Sequence, residues 1–518
     1  MRLAAIDLGS NSVHMVVADV STDGRIQVVD RVKEMVRLGR RAFTTGALGK
    51  ETTELAARAV TTFGRLARAR HVVRLRAVAT SAVRESRNGA VFVRRLRRET
   101  GLPIDVISGL DEARLIFRAV RHAMGLDGGP HLLVDVGGGS VELTLAEDGR
   151  PLWMRSVPLG VARLSERFLT SDPPTGRQVR QLERHLERTI GDLLDRARRR
   201  GVVGAVGTSG TINTLVTMAR VARGEDVGRL HGAGASVQEL AQLRRRMLAV
   251  PTDVRAELPG MDTKRVDLMP AAAVLLDFIL SRSGVRDLRV CSWALREGVL
   301  LELARVNGAG GGTAVGRRRS VVALARRYAG DNAHGRQVAK LALALFDATA
   351  PALGLPPSCR ELLEYAALLH DIGHAVDHDR HQRHSCYLVR NSELLGFEPE
   401  EILVIGLVAR GHRKQAPKLS DPELRALPGS KRKQVRGLAA LLRIADALDR
   451  THFGVVKRLD VTRAGGRLYI GVDAGGESAE LELWAAERRL DLLSRLLDRP
   501  VVLRTDSSSK RIAARQAS

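Results

Sequence analysis

Aromatic side chains are scarce: Phe, Trp and Tyr together make up 3% of the 518 residues. Cores must therefore be filled by Leu, Val and Ala, and rows of stacking platforms for single-stranded nucleic acid are missing. Cysteine is scarcer still. Cys291, Cys359 and Cys386 stand at neither metal nor redox-pair spacing, so they read as buried, reduced thiols of a cytoplasmic protein. No apolar run approaches the length of a membrane span. The opening MRLAAIDLGSNSVHMVVADV has no charged lead, long apolar stretch or cleavage site of a signal peptide. A soluble, cytoplasmic chain without a membrane partner is expected. Acidic residues are outnumbered, 58 Asp and Glu against 83 Lys and Arg, giving a net charge of +25. Arginine runs such as Arg94–Arg98 and Arg196–Arg200 are each a solvated helical face, but the summed field favours a polyanionic ligand. With so few aromatics, nucleic acid is disfavoured as that ligand.

The chain length suggests three or four domains, and an internal echo organises the first part. AIDLGSNSVHMVV at 5–17 is matched by LVDVGGGSVELTL at 133–145. Aligning Asp7 with Asp135 brings Gly9 onto Gly137, Ser12 onto Ser140 and Val13 onto Val141. Each copy is an apolar run, an Asp, a Gly/Ser bend and a second apolar run, the pattern of a β-hairpin. Two similar α/β lobes are expected, 1–127 and 128–307, with a turn cluster at Asp127–Pro130. The glycine stretch Asn307–Gly316 reads as a linker. Residues 317–454 have helical periodicity throughout. Residues 455–505 alternate and then turn amphipathic, a small α+β domain, and the tail after Asp506 is expected to fray.

The bends carry the chemistry. A phosphate needs backbone N–H donors at close range, which glycine permits and a Cβ obstructs. In DVGGGS, Gly137, Gly138 and Gly139 can form such a nest, with the Ser140 hydroxyl beside it. In DLGSNS, Gly9 supplies the backbone, while Ser10, Asn11 and Ser12 add side-chain donors. A carboxylate next to phosphate repels it unless a divalent cation intervenes. Asp7 and Asp135 therefore suggest Mg²⁺, and Glu142 is a further ligand or water-orienting group. A third site, Gly207, Thr208 and Gly210 in GTSGT, sits between an apolar run and a helix start, where a helix N-terminus favours phosphate.

These bends resemble the phosphate loops of the actin, sugar-kinase and heat-shock chaperone ATPase superfamily. Further stretches narrow the resemblance to the exopolyphosphatase/guanosine pentaphosphate phosphohydrolase family: VRLG at 36–39, ATSAVRESRN at 79–88, SGLDEAR at 108–114, GTSGTINTL at 207–215, GMDTKRVD at 260–267 and LREGVL at 295–300. The resemblance implies two actin-like (ribonuclease H-like) lobes, an appended HD-type helical domain and a small α+β domain. It implies that Glu112 is the general base on the attacking water and that Arg84, Asn88 and, less directly, Arg37 contact phosphate. Locally, Ser108 and Asp111 read as a helix N-cap and its third-position acid, which would set Glu112 in the first helical turn. The implied activity is release of terminal orthophosphate from inorganic polyphosphate. The alternatives are the 5'-phosphohydrolase reaction on guanosine pentaphosphate and a non-catalytic alarmone or polyphosphate sensor. A kinase reading rests on the superfamily alone. A homodimer is implied as well.

In the helical domain His334, His370, Asp371, His412 and Asp446 form the HD phosphohydrolase pattern, imidazoles and carboxylates able to hold a divalent ion with open positions. His381 and His384 could assist. Alternative roles are helix packing, dimerisation, or a basic channel with His374, His378 and Arg413 for a long anionic chain.

Overall fold

A computed structural model describes residues 1–21, 24–225, 228–305, 314–392, 394–413 and 417–505. The chain divides into two compact units, Met1–Thr313 and Ala314–Ser518.

The first unit holds two sheets. β1 (Arg2–Leu8), β2 (Ser12–Val20), β3 (Ile26–Met35), β4 (Arg74–Ala79) and β5 (Ile104–Val106) lie in the order β3-β2-β1-β4-β5. The first three are antiparallel, and β4 and β5 join in parallel. The second sheet is β6 (Pro130–Val136), β7 (Val141–Glu147), β8 (Arg150–Val157), β9 (Gly204–Thr208), β10 (Gly234–Ser236) and β11 (Asp287–Val290), in the order β10-β11-β9-β6-β7-β8. Apart from the short β10 edge, it repeats the first sheet strand for strand. The echo extends to the bends: Gly9 N donates to Ser12 O at 3.1 Å, and Gly137 N to Ser140 O at 3.0 Å. Asp7 pairs across the ladder with His14, and Asp135 with Glu142. Central strands covered on both faces read as continuous apolar runs. Accordingly Leu3, Ala4, Ala5 and Ile6 in β1 and Leu132 to Val134 in β6 are buried.

The lobes exchange a helix. Gly109–Met124 follows β5 in sequence yet packs on β7 and β8, while Leu295–Leu303 follows β11 and packs on β1, β2 and β4. The two helices cross at Gly298, where a Cβ would collide with the Leu115 carbonyl oxygen. Boundaries at residues 127 and 307 assign each of these helices to the sheet that precedes it. Amphipathic periodicity reports a buried face, but not which sheet covers it.

In the second unit, helices Ala314–Ala329, Ala333–Leu353, Cys359–Leu369, His381–Asn391, Pro399–Arg410 and Gly429–Ala447 precede a sheet ordered β12 (Arg458–Ala464), β13 (Arg467–Asp473), β14 (Val501–Thr505). Two short helices, Glu480–Glu487 and Leu490–Leu497, lie between β13 and β14. Helices and sheet share one hydrophobic core, in which Leu441 and Leu442 are buried together with Ile470 and Leu493. The expected linker overlaps the undescribed residues 306–313, and a helix already begins at Ala314, inside that glycine stretch. The tail after Asp506 lies outside the described residues. Among the described residues, no helix is long and apolar enough to cross a membrane.

Candidate active site between the glycine bends

A cavity of about 160 Å³ lies between the two hairpin bends of the first unit. Gly9 to Ser12 line one side and Gly137, Gly138 and Ser140 the other. Ser209, Gly210 and Thr211, at the start of helix Gly210–Ala222, close one end, with Arg265 and Arg296 beside them. The bends approach so closely that a Cβ on Gly138 would stand 3.1 Å from Ser10 Cβ. Gly160 lies against the peptide planes of Gly138 and Gly139, where no side chain fits. Gly139 itself packs on Phe43 and Ser81 and faces away from the cavity lining.

Glu112 enters from the first turn of its helix. Ser108 caps that helix by accepting from Asp111 N at 3.1 Å, and its hydroxyl donates to Asp111 Oδ2 at 2.6 Å. The cap fixes the turn and points the next carboxylate, Glu112, into the cavity. Arg84 Nη1 donates to Glu112 Oε2 at 3.1 Å and to Ile107 O at 2.9 Å, so the guanidinium holds the carboxylate against the strand end.

Four carboxyls gather here, Glu112 and Glu142 buried and Asp7 and Asp135 half-buried. Burial pushes Glu112 up to about 8; Arg84 opposes the shift, while Asp7 and Asp135 add to it. Burial likewise lifts Asp7 to about 7, with Arg296 pulling it down and Asp135 and Glu297 pushing it up. Asp135 is raised by burial against a hydrogen bond from Thr208 and the charge of Arg296. Glu142 is raised well above the usual range by burial and by Glu112 and Asp135. Ser156 Oγ donates to Glu142 Oε1 at 2.7 Å, but Glu142 Oε2 and Asp7 Oδ1 are buried without a hydrogen-bond partner. Unpartnered carboxylate oxygens among like charges form a set of hard donors suited to a divalent cation.

His14 occupies the position in the first hairpin that Glu142 holds in the second. Arg296 Nη1 donates to His14 Nδ1 at 2.7 Å, which leaves the proton on Nε2, and Nε2 lies 2.6 Å from Ser12 Oγ. Burial, then Arg296, keep this imidazole neutral. Ser12 therefore accepts from His14 and has its own hydroxyl proton free for the cavity.

The cavity gathers Asp7, Gly9, Ser10, Asn11, Ser12, Glu112, Asp135, Gly137, Gly138, Ser140 and Gly210 from the expected set, with Arg84 and Glu142 directly behind Glu112 and Asp135. The rest fall elsewhere. Asn88 Oδ1 accepts from Leu48 N at 2.8 Å and its Nδ2 donates to Leu48 O at 3.0 Å, which makes it a loop staple. Thr208 is buried with its hydroxyl on Asp135, and Gly207 packs under Ile212 and Leu288. In that segment it is Ser209, at φ 109 in the left-handed region, that reaches the cavity with Gly210 and Thr211. Arg37 reaches Asp267 Oδ2 at 3.1 Å, joining the two lobes. Thr80, Ser81, His14, Arg265 and Arg296 are lining residues that local pattern does not mark. The motifs GMDTKRVD and LREGVL contain both arginines, and that was the available signal.

The helical unit also assembles its expected residues. His334 and His370 each place Nε2 3.4 Å from Asp446 Oδ1, and His412 Nε2 is 3.5 Å from Asp371 Oδ1. His381 belongs to the same group, its Nε2 3.2 Å from Asp371 Oδ1. Among the described residues, the sets of three potential ligands with atoms within 4.8 Å of one another all lie here. Asp7, Asp135 and Glu142 do not form such a set, as suits an ion that keeps several waters and takes one or two carboxylates.

Fold and cavity together define a two-lobed α/β protein with glycine bends and carboxyls facing one cleft, and the family match makes it a phosphatase. Residues 16–306 match the Ppx/GppA phosphatase family and residues 316–467 its domain III. The chain belongs to the Ppx/GppA phosphatase family. A guanosine-5'-triphosphate,3'-diphosphate pyrophosphatase of Vibrio vulnificus is 29% identical over 503 residues, covering 94% of this chain and 96% of its own. Exopolyphosphatase 1 of Mycobacterium leprae is 33% identical over 301 residues, covering 58% of this chain and 89% of its own. The crystal structure of an exopolyphosphatase from Cytophaga hutchinsonii aligns with a TM-score of 0.56 at 28% identity, covering 59% of this chain and 99% of that one. The Aquifex aeolicus family member gives a TM-score of 0.52 at 28% identity, covering 59% and 98%.

Proposed function

We propose that this chain is an exopolyphosphatase, releasing terminal orthophosphate from inorganic polyphosphate. The observation that carries the reading is Glu112: a buried carboxyl, raised toward neutrality, held by Arg84 and aimed between two glycine bends. In the reaction a water oxygen forms a bond to the terminal phosphorus as the bond to the bridging oxygen breaks. Glu112 takes the water proton, and its raised pKa makes its carboxylate a stronger base than an exposed glutamate. The Gly9 and Gly137 amides close their own bends on Ser12 O and Ser140 O, so the Gly138 amide with the hydroxyls of Ser10, Ser12 and Ser140 grips the terminal phosphoryl oxygens. Arg84, Arg265 and Arg296 bring positive charge to the transferred group and the leaving chain. Asp7, Asp135 and Glu142 would hold Mg²⁺, which supplies neutralisation of phosphate charge when bound. The net charge of +25 fits a long anionic substrate. The homodimer implied by the family resemblance belongs to the same proposal.

A second reading, removal of the γ-phosphate of guanosine pentaphosphate, is favoured by one observation: the relative matching 94% of the chain carries that activity in its name. Phosphate release from long polyphosphate and from guanosine pentaphosphate, measured side by side with Mg²⁺, separates them. Orthophosphate from polyphosphate, lost in Glu112→Gln, supports the first reading. Turnover of the nucleotide alone moves the assignment to the second, and turnover unchanged in Glu112→Gln sinks the role of that residue.

A further inference from the structure

The second glycine bend is held from behind by helix Val161–Phe168, which follows β8. Gly160 N donates to Gly139 O at 3.2 Å, Val161 N to Gly137 O at 3.0 Å and Ala162 N to Gly138 O at 2.9 Å. The amides that a helix start leaves unpaired thus take up the carbonyls of the bend, and the two are joined as one piece. From that piece two side chains, three residues apart and so on one face of the helix, reach the first lobe. Glu166 Oε1 accepts from Arg41 N at 3.0 Å, at the turn that carries Phe43. Arg163 makes three contacts with one guanidinium. Its Nε donates to Gly139 O at 3.1 Å, its Nη2 donates to Glu85 Oε2 at 2.5 Å, and its Cζ lies 4.2 Å from the centre of the Phe43 ring. Neither Arg163 nor Glu85 lines the cavity.

Glu85 closes a ring of contacts around the site. It ends helix Ser81–Glu85. Ser81 Oγ in that helix lies 2.9 Å from Ser10 Oγ of the first bend, and a Cβ on Gly139 of the second bend would stand 2.4 Å from the same oxygen. Arg84, beside Glu85, holds Glu112. One short helix therefore touches both bends and the base, and Arg163 links it back to the second bend. We infer that Arg163 is a positioning residue for phosphate release: it sets the second bend, whose Gly138 amide and Ser140 hydroxyl grip the transferred phosphoryl group, against Arg84 and Glu112. The inference rests on the phosphohydrolase reading of the cavity. A guanidinium is needed because one edge of its plane meets a carbonyl and a carboxylate together while its face covers a ring, which an ammonium cannot do. The reacting atoms tolerate little slack, since a displacement of about 1 Å costs on the order of 100-fold in rate.

The test uses the full chain with Mg²⁺. Rates are measured on long polyphosphate and on guanosine pentaphosphate. Calorimetry follows binding of orthophosphate and of orthovanadate, whose five-coordinate form mimics the phosphoryl group in transfer. Arg163→Met is expected to lower kcat roughly 10- to 100-fold with KM within about threefold, and to weaken vanadate at least about tenfold while orthophosphate stays within about threefold. Arg163→Lys is expected to fall between wild type and Arg163→Met. Glu85→Gln loses less, and the double variant is no slower than Arg163→Met alone, because one link can be broken only once. Arg167→Met, which removes a charge from an exposed position on the same helix, is expected to leave kcat and KM unchanged. A lower melting temperature with unchanged kcat makes Arg163 a strut and overturns the inference. Losses that multiply in the double variant, or an equal loss in Arg167→Met, overturn it too. If the wild type hydrolyses neither substrate, the proposed function fails on its own and vanadate decides the positioning role: equal affinity in wild type and Arg163→Met, or binding by neither, overturns it.

Discussion

Replacing Glu112 with Gln removes one ionisable group from a crowded set of four and changes almost nothing in shape. Burial lifts the Glu112 carboxyl from 4.5 to about 8. At about 1.4 kcal/mol per unit, ionising it in the folded chain costs on the order of 5 kcal/mol. Asp7, Asp135 and Glu142 push on one another as well, so relief at one member is expected to be roughly half of that. The sign follows from proton binding. Between pH 4.5 and about 8 the folded chain holds a proton that the unfolded chain has released, so metal-free stability falls as pH rises. Glutamine does not titrate. The variant should match the wild type at pH 5 and exceed it at pH 8.5 by about 2 to 3 kcal/mol, or roughly 3 to 8 °C in melting temperature. Arg84 keeps its bond to Ile107 O at 2.9 Å in either case. Thermal melting in chelator at the two pH values measures this, and added Mg²⁺ should stabilise the wild type more than the variant. A variant advantage that is equal at both pH values, or a loss at pH 8.5, refutes the reading of these carboxyls as a strained, cation-demanding set.

Four further outcomes are expected. The rising limb of kcat/KM against pH should fall between 4.5 and about 8, above an ordinary glutamate and at or below the free-site value; a limb at 4.5 contradicts the burial argument. Arg84→Lys loses the two-point hold on Glu112 and Ile107, so kcat should drop roughly 10- to 100-fold with little change in KM. Asn88→Ala removes both hydrogen bonds to Leu48 and should cost about 1 to 3 kcal/mol of stability at unchanged KM; a KM effect without a stability effect would return Asn88 to the phosphate site. Gly160→Ala drives a methyl group into the peptides of Gly138 and Gly139, and phosphate release should fall at least about 100-fold as the bend is displaced.

The two hairpins were legible because their chemistry is local: Asp, glycine and serine at fixed spacing form the same bend wherever they occur, and the register pairs Asp7 with His14 and Asp135 with Glu142. The first-turn position of Glu112 was legible for the same reason, through its Ser108 cap. Arg265 and Arg296 were not, because their approach to the cavity depends on helices and turns that pack long after the hairpins in sequence. The GTSGT segment misled by one residue. Strand β9 runs through Thr208, so its glycine faces Ile212 and the turn begins only at Ser209. In the helical unit the HD pair and its flanking residues could be read from residue type, whereas the part of His381 depends on where its helix begins relative to Asp371.

The exchange of helices between the lobes has a consequence for synthesis. β1 begins at Arg2, and the helix that covers it and its neighbours β2 and β4 is Leu295–Leu303. A nascent chain therefore cannot finish its first sheet until nearly the whole first unit has left the ribosome. At roughly 5 to 20 residues per second that interval lasts tens of seconds. During it, one apolar face of the strands that carry Asp7 and flank Gly9 waits without its cover. The first glycine bend, though made early, is thus among the last parts of the unit to be completed.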